Sequence, residues 1–506
     1  MADWGSGYVT DTAYVHDFCR VQTPPMLALA ALASGVGAPG GSGEPLVYGD
    51  LGCGQGYTAN LVAAANPAAR VFGFDFNPSH IANARALAGS SGLANVQFRE
   101  ASFEELVDDA QLPEFDLMCM HGIYSWVSPH NRRVLVSLIR KKLKPGGLLY
   151  ISYDCMPGWA GIAPLRRILV QGFAPRPGLS STAALDQALA YSDALRKADA
   201  RFNHMYPLVE AQMERLKTTP RAYLAHELLT RDWEAFSFGD VVTELAEAKV
   251  AYLGSAHLTD GVPRVNFTEA QQAFLATIGD PVIAEATRDM ILGRQFRRDV
   301  FAKGPVPLAE TDASARWLNT RFALTTPATL FDMTFETALG KLQLRPDVYG
   351  PLVELLGEGP VTLQGLIERL PMPRPSWVSL TDAIKVLVGR GDLQPALPED
   401  GDAKREASTR GFNAAVLARA TQSAEFGYLA SPVTGGGVRV DRIAQIYLRS
   451  RREGADPATL LAKLLEGAAS PDGKVLSPDQ AGAAVKKESA RIENDVLPLL
   501  KRLGID

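Results

Sequence analysis

The stretch PLVYGDLGCGQGYTANLVAAANPAARVFGFDFNPSHI, residues 45–81, constrains the fold of this chain more than any other. An apolar strand runs into a glycine-rich turn, a helix follows, and a second strand ends in an acidic residue. Strands and amphipathic helices continue to alternate as far as Asp154, which predicts a doubly wound, Rossmann-like α/β sheet. Ligands of such sheets bind beyond the carboxyl ends of the strands, so the segments that follow the strands are expected to form one site.

The rest of the chain has a different character. At 506 residues it is too long for one hydrophobic core. Residues 183–300 are almost wholly helical in pattern, and residues 358–397 follow the helix, turn, helix and strand order of a winged helix. The segment FGYLASPVTGGGVRV predicts a hairpin with a glycine tip, followed by helices to the C-terminus.

Composition and charge exclude several classes of protein. The net charge is −5 with Lys and Arg spread along the chain, which argues against nucleic acid as a partner. The four cysteines form no C-x-x-C pair, which favours a reducing compartment. The sequence shows no signal peptide and no apolar run of membrane-spanning length, so we expect a cytoplasmic protein without a membrane segment.

The glycine turn and two carboxylates indicate the kind of cofactor. Gly52, Gly54 and Gly56 have the spacing G-x-G-x-G, which differs from the dinucleotide pattern G-x-G-x-x-G. Asp50 precedes the turn, where a carboxylate would repel a pyrophosphate but suits an ammonium group. S-adenosylmethionine carries an ammonium and a sulfonium but no phosphate. Asp75 ends the next strand and is placed to accept hydrogen bonds from both ribose hydroxyls.

Five motifs in this order carry a resemblance to a known family: DLGCGQG, GFDFNP, ASFEEL, FDLMCMHGIYSWVSP and LKPGGLLYISY. Together they resemble the class I S-adenosylmethionine-dependent methyltransferases over about residues 46–154. The resemblance implies S-adenosylmethionine as cofactor and S-adenosylhomocysteine as product. The residues expected around it are Asp50, Gly52, Cys53, Gly54 and Gly56 at the methionine part, Asp75 at the ribose, Phe76 and Asn77 beside the adenosine, Ala101, Ser102 and Phe103 near the adenine, and His121 and Gly122 at the floor.

Some of these residues also have plain structural interpretations. Ser102 begins an S-x-x-E capping box at the helix FEEL, His121 follows an apolar strand, and Cys53 is small enough to be simply buried. Tyr14 is a candidate lid residue over the cofactor, and the alternative is that it packs within an N-terminal helix. Asp75→Ala is expected to abolish cofactor binding while leaving the fold intact.

A narrower resemblance covers about residues 8–300. HGIYSWVSPHNRR, SYDCMPGWAG and residues 223–256 are similar to methyltransferases that carry a regulatory domain, whose best-understood relatives are rickettsial protein-lysine methyltransferases. Asp154 departs from this family, in which we expect asparagine. We therefore predict five segments: an N-terminal lid segment 1–45, a class I methyltransferase domain 46–175, a helical regulatory domain 176–310, a winged-helix-like domain 311–400, and a C-terminal hairpin with helices 401–506.

The residues expected at the acceptor side follow strand ends near the cofactor. Four aromatic residues are candidates to hold a methylated ammonium by cation–π attraction, with packing between domains as the alternative: Tyr124, Trp126, Tyr153 and Trp159. Asp154 is a candidate to accept or orient the acceptor's proton, and otherwise caps its loop. Methyl transfer is a direct displacement that depends on positioning, so no nucleophilic side chain is required.

Two further motifs suggest functions that their other residues do not support. The pair His226 and Glu227 suggests the zinc motif H-E-x-x-H, but residue 230 is Thr, so no metal site is expected. The helix WVSLTDAIKVLVGRGD has an apolar stripe and few cations, so it is a core-facing helix and not a DNA reader. We interpret the winged-helix-like part as a protein-interaction or dimerisation module, with a homodimer left open.

Three functions stay open on the sequence. The first is methylation of lysine side chains in a protein substrate, for which the additional domains argue. The second is O- or N-methylation of a small molecule or saccharide, which Asp154 keeps open. The third is a non-catalytic protein that binds S-adenosylmethionine.

Overall fold

The computed structural model describes residues 8–9, 11, 14–40, 44–176, 178–465 and 477–505. Its centre is a seven-stranded sheet in the order β3-β2-β1-β4-β5-β7-β6. Strands β1 to β5 are parallel to one another, whereas β7 pairs antiparallel with both β5 and β6. The strands are β1 (Val47–Leu51), β2 (Arg70–Asp75), β3 (Val96–Glu100), β4 (Phe115–Met120), β5 (Leu143–Asp154), β6 (Val250–Ser255) and β7 (Phe296–Lys303). The predicted doubly wound sheet is confirmed.

Helices cover both faces of the parallel part, and β1 is buried along its whole length for this reason. Local chemistry sets the helix starts: Asn77 accepts a hydrogen bond from Ser79 N before α3, and Ser128 accepts one from Asn131 N before α5. The helices of this part are α1 (Pro24–Ala33), α2 (Tyr57–Ala65), α3 (Pro78–Ser91), α4 (Phe103–Val107) and α5 (Pro129–Lys142).

The region predicted to be almost wholly helical contributes two strands to the central sheet. β7 pairs with β5 from Leu148↔Ala302 to Asp154↔Phe296, and β6 pairs with β7 at the sheet edge. The helical prediction was therefore wrong for these strands, although it holds for most of the region. Its helices are α6 (Ala163–Phe173), α7 (Ser181–Lys197), α8 (Arg201–Met205), α9 (Pro207–Lys217), α10 (Arg221–Leu229), α11 (Phe238–Ala246), α12 (Pro263–Asn266), α13 (Glu269–Ala276) and α14 (Pro281–Leu292).

The winged-helix-like part combines helices with a three-stranded antiparallel sheet in the order β11-β8-β12 and a separate β9–β10 hairpin. Its elements are α15 (Glu310–Asn319), β8 (Arg321–Leu324), β9 (Thr334–Thr337), β10 (Gly340–Gln343), α16 (Pro346–Glu358), β11 (Val361–Thr362), α17 (Leu363–Arg369), α18 (Trp377–Arg390) and β12 (Leu393–Ala396). A Cβ on Gly389 of α18 would lie 1.8 Å from Thr259 Oγ1, so this helix packs tightly on the middle of the same chain. The core-facing prediction for α18 is confirmed, and its apolar stripe is not a free interface.

The C-terminal segment folds back onto the parallel sheet. The predicted hairpin forms, and Tyr57 of α2 donates its hydroxyl to Tyr428 O at 2.5 Å. Its elements are α19 (Asp402–Arg419), β13 (Tyr428–Ser431), β14 (Gly436–Arg439), α20 (Arg442–Arg452), α21 (Pro457–Leu465), α22 (Pro478–Arg491) and α23 (Leu497–Arg502). Within the described ranges, no helix combines the length and the apolar character needed to cross a bilayer.

Candidate active site

The carboxyl ends of β1, β2, β3 and β4 lie along one edge of the central sheet because these strands are parallel neighbours. This edge brings together the turn after β1, Asp75, the segment 101–103 and His121. Most of the residues predicted around the cofactor are therefore close in space.

The glycine turn leaves the backbone accessible at one point. Gly52, Gly54 and Gly56 have φ angles of +72°, +53° and +70°. A Cβ on Gly52 would lie 2.2 Å from Ile123 Cδ1, whereas one on Gly54 would meet nothing closer than Tyr14 Cδ1 at 4.0 Å. Packing inside the chain therefore requires glycine at 52, while the open space at 54 lets a ligand approach the backbone. Tyr14 is the nearest side chain to this point, and its role as a lid residue stays a prediction.

Asp50 is a buried carboxyl group that is only 3% exposed. Within the described residues, it makes no hydrogen bond or ion pair. Burial raises the pKa of Asp50 to about 7, an effect that His121 opposes and Asp75 reinforces. A buried carboxyl group without an internal partner fits a cationic ligand group such as the ammonium of S-adenosylmethionine.

The Asp75 carboxylate accepts hydrogen bonds within the chain and can also accept them from a ligand. Its Oδ2 accepts a hydrogen bond from Gly54 N at 2.9 Å. Its Oδ1 accepts one from Asn77 N at 2.9 Å and lies 3.2 Å from His80 Nδ1. Each carboxylate oxygen can accept more than one hydrogen bond, so ribose hydroxyls fit here too. The expectation that Asp75→Ala leaves the fold intact needs correction, because this side chain ties the glycine turn to the head of α3.

The adenine side is built mainly from helix caps. The Asn77 side chain caps α3, and Ser102 forms a capping box with Glu105 at α4, as its alternative interpretation predicted. Half-buried Phe76 meets the edge of the Tyr8 ring at 5.8 Å. Ala101 donates its backbone N–H to Asp75 O at 3.1 Å, and partly buried Phe103 packs on the core. Ser102 therefore has a structural role here, and the adenine contacts of Phe76 and of residues 101–103 stay a prediction.

The floor of the site is held by hydrogen bonds within the chain. His121 Nδ1 lies 2.9 Å from Tyr150 Oη and 3.1 Å from Ser152 Oγ. Gly122 donates its N–H to Ser152 Oγ at 2.8 Å. Burial and Arg298 lower the pKa of His121 to about 4, so the imidazole is neutral. These hydrogen bonds support the structural interpretation of His121, and they also hold it at the floor of the site.

Cys53 lies in the turn as a small packed residue. Its thiol lies 3.7 Å from Gly54 O, and a Cβ added to Gly73 would lie 3.1 Å from the sulfur. Burial raises the pKa of the Cys53 thiol well above its usual range.

The predicted acceptor residues do not all meet. Tyr124 is fully buried, donates its hydroxyl to Glu244 and packs on Phe236 at 5.4 Å between ring centres. Like Tyr153, it belongs to the hydrophobic core, which is the packing that the alternative interpretation predicted. Trp126 lies at the site, with its ring centre 5.4 Å from Arg166 Cζ.

Asp154 ends β5 next to two indole rings. Trp233 donates its indole N–H to Asp154 Oδ2 at 2.6 Å, and the Trp159 ring lies edge-on to Trp233 at 5.2 Å. Burial raises the pKa of Asp154 to about 6, while the hydrogen bond from Trp233 and the charge of Arg166 oppose the rise. The acid and the indole rings therefore form one compact group.

Arg166 joins this group to helix α10. Its guanidinium donates to Glu227 O and to Thr230 O, each at 2.9 Å, and its Cζ lies 4.5 Å from the centre of the Trp233 ring. The guanidinium is buried and lies over two indole rings, an arrangement in which cation–π attraction is favourable.

The part of the site that α10 supplies was not predicted from the sequence. Tyr223, His226 and Glu227 share one face of this helix, because residues three and four positions apart are neighbours on a helix surface. The Tyr14 ring lies 6.2 Å from Tyr223 and 5.2 Å from His226. The helical spacing of Tyr223, His226 and Glu227 in the sequence indicates a shared face, but His226 and Glu227 were considered only as a zinc motif.

Glu227 is a second, half-buried acid near Asp154. Burial raises the pKa of Glu227 to about 8, Asp154 adds to the rise, and a hydrogen bond from Tyr223 and the charge of Arg166 oppose it. Two such acids among aromatic rings can bind a cationic amine and accept its proton. No group of three or more His, Cys, Asp or Glu side chains in the described ranges is arranged to hold a metal ion.

Two protein families match the chain. A methyltransferase domain family matches residues 45–174, and the predicted methyltransferase regulatory domain family matches residues 220–303. An uncharacterised protein of Synechocystis is 36% identical over 510 residues, which covers 99% of each chain. An uncharacterised protein of Rickettsia prowazekii is 24% identical over 281 residues, 55% of this chain and 49% of its own.

A solved structure is similar over almost the whole chain. It is that of PKMT2 from Rickettsia typhi in complex with AdoHcy, with a TM-score of 0.66 and 17% identity over 96% of this chain and 98% of its own. This likeness supports the fold. The sequence matches and the buried carboxylates at the glycine turn lead to one conclusion: the chain belongs to the class I S-adenosylmethionine-dependent methyltransferases that carry a methyltransferase regulatory domain.

Proposed function

We propose that this enzyme methylates the side-chain amine of lysine residues in a protein substrate. The observation that carries the proposal is the pair of acids, buried Asp154 and half-buried Glu227, among the rings of Trp159, Trp233 and Tyr223. The carboxylates attract a cation by its charge, and the aromatic rings attract it through contact with their faces.

The reaction also requires that the amine lose its charge. A lysine ammonium has no lone pair, and its usual pKa is about 10.4, so a group in the site must take a proton. Asp154 and Glu227 are suited to this because burial raises the pKa of each. Bound S-adenosylmethionine supplies a methyl group on a sulfonium, which an in-line amine lone pair can attack.

We propose that the cofactor is held by the residues that line the glycine turn and the strand ends. Asp50 would pair with the ammonium, the backbone at Gly54 would face the methionine part, and Asp75 would accept the ribose hydroxyls. The Phe76 ring and the backbone of 101–103 would flank the adenine.

The size of the protein supports a macromolecular substrate. The wall that carries Glu227 comes from the regulatory segment, which also adds β6 and β7 to the central sheet. We propose that 176–310 is an integral wall of the acceptor site, with the other predicted segment boundaries unchanged.

The four cysteines are free thiols, which supports the predicted cytoplasmic location.

The proposal is tested by incubating the enzyme and methyl-labelled S-adenosylmethionine with a lysate of the source organism that lacks this gene. The lysate is then separated into protein, nucleic-acid and small-molecule fractions. We expect the label in protein and stable to mild acid and base, because N-methyl lysine resists both while methyl esters do not. Label confined to the small-molecule fraction would contradict the proposal and favour the O- or N-methylation of a small substrate.

A further inference from the structure

We propose that Glu227 is the general base of the reaction, so that the regulatory domain supplies a catalytic residue to the methyltransferase domain. This inference rests on the proposed function, since it assigns the proton of the acceptor ammonium to one carboxylate. The first observation is its placement: Glu227 shares one face of α10 with Tyr223 and His226, and that face meets Tyr14 above the glycine turn.

The second observation is the way in which Arg166 fixes Glu227. The guanidinium donates to the backbone oxygens of Glu227 and Thr230, each at 2.9 Å. The cation thus anchors the end of α10 by its main chain and does not form an ion pair with the Glu227 carboxylate. The carboxylate keeps its hydrogen bond from Tyr223, but no cation in the described part of the chain pairs with it, so it can still accept a proton from a cationic substrate while its helix is held in place.

The third observation is that the two acids have different surroundings. The carboxylate of Asp154 accepts an indole N–H from Trp233 at 2.6 Å, which favours its charged form. The groups that face Glu227 from the elements around it are Asp154 of β5, Arg166 of α6, Tyr223 of its own helix, and Tyr8 and Tyr14 of the N-terminal segment. With pKa values of about 6 for Asp154 and about 8 for Glu227, the pair divides into an acid that stays charged and one that holds a proton well.

In the proposed reaction, proton transfer to Glu227 precedes methyl transfer. An N–H bond of the substrate ammonium breaks and its proton goes to a carboxylate oxygen of Glu227, which leaves a lone pair on nitrogen. That lone pair forms the N–C bond with the methyl carbon as the C–S bond breaks, and the bonding electrons stay on sulfur as a neutral thioether. Charged Asp154 holds the methylated ammonium that results, and Glu227 releases its proton to water.

The inference is tested with Glu227→Gln, which keeps the shape of the side chain but cannot accept the proton. Rates of methyl transfer are measured from pH 6 to 10 in the lysate fraction that the wild type labels. Affinity for S-adenosylhomocysteine is measured by calorimetry, and folding by circular dichroism. Glu269→Gln is the matched control, because Glu269 is an exposed glutamate of the same segment.

We expect Glu227→Gln to lower kcat by about 100-fold at pH 7 with unchanged affinity for S-adenosylhomocysteine. The wild-type rate should rise with pH through a value near 8, and this rise should be lost in the variant. Glu227→Asp should retain the rise at a lower rate. A Glu227→Gln rate within about threefold of wild type, with the same pH profile, would overturn the inference.

The two proposals fail in different ways. The fraction that the wild type labels decides between protein and small-molecule acceptors. The ratio of the variant to the wild type in that fraction decides the role of Glu227. If Glu227→Gln does not fold, the Glu227→Asp profile decides instead: a wild-type rate across the pH range would overturn the assignment.

Discussion

The indole N–H of Trp233 lies 2.6 Å from Asp154 Oδ2 and donates a hydrogen bond to it. This contact joins the loop after α10 to the last residue of β5, so the regulatory segment contacts a residue that we propose binds the acceptor. It also explains how aspartate is accommodated at a position where related sequences are expected to have asparagine. The carboxylate accepts a hydrogen bond from the indole N–H, and Arg166 lies over the same ring.

Replacing Trp233 by Phe removes this hydrogen bond while keeping an aromatic ring. The pKa of Asp154 should then rise above its value of about 6, because the bond favours the charged form. We expect the variant to lose more activity at pH 6 than at pH 9, measured as the pH profile of methyl transfer. Trp377→Phe is the control, since Trp377 is 40% exposed on α18. Equal losses at both pH values would speak against this role.

Asp50→Asn should weaken binding of S-adenosylhomocysteine by about 10-fold or more, because it removes a buried charge opposite the ligand ammonium. Burial raises the pKa of Asp50 to about 7, so wild-type affinity should increase between pH 6 and 8 as the carboxyl group loses its proton. The affinity of Asp50→Asn should lack this increase. Calorimetry at the two pH values measures both effects, with exposed Asp312→Asn as control.

Asp75→Ala should lower the free energy of unfolding as well as the cofactor affinity. The N–H groups of Gly54 and Asn77 lose their acceptor, which costs about 1–3 kcal/mol for each buried group left unpaired. Asp75→Asn keeps one acceptor oxygen and should lose less. Urea unfolding of the ligand-free protein distinguishes them, and unchanged stability of Asp75→Ala would restore the purely ligand-binding interpretation.

The glycine turn allows a direct comparison of two substitutions. Gly52→Ala places a Cβ 2.2 Å from Ile123 Cδ1 and should destabilise the fold by about 2 kcal/mol or more. Gly54→Ala has open space and carries only the cost of its positive φ, about 1 kcal/mol, so its main effect should be on cofactor affinity. Thermal unfolding and calorimetry together test this order; the reverse order would contradict the assignment of the open space to the ligand.

The cofactor side could be predicted because its signals are local. Strand, glycine turn and terminal acid are contiguous in sequence, and parallel pairing necessarily places the strand ends along one edge. The roles of Asp75 and Asn77 in hydrogen bonding to the turn and to α3 were less visible, since they depend on where the backbone N–H groups lie.

The acceptor side could be predicted only in part, because it depends on contacts far apart in sequence. Nothing near Tyr124 shows that its hydroxyl meets Glu244, which places the ring in the core. The strand β7 was missed because charged residues interrupt its apolar pattern, and they are buried only because Arg297 pairs with Asp299 and with Asp289, each at 2.8 Å. Glu227 was missed because it is brought near Asp154 only by contacts between segments that are far apart in sequence.

The most direct test of the central claim is mass spectrometry of the proteins that the enzyme modifies in a gene-deleted lysate supplied with S-adenosylmethionine. The account predicts peptides that carry methyl groups on lysine with the wild type, and a loss of nearly all of them with Glu227→Gln under the same conditions. Methyl groups found only on small molecules, or on protein side chains other than lysine, would contradict it.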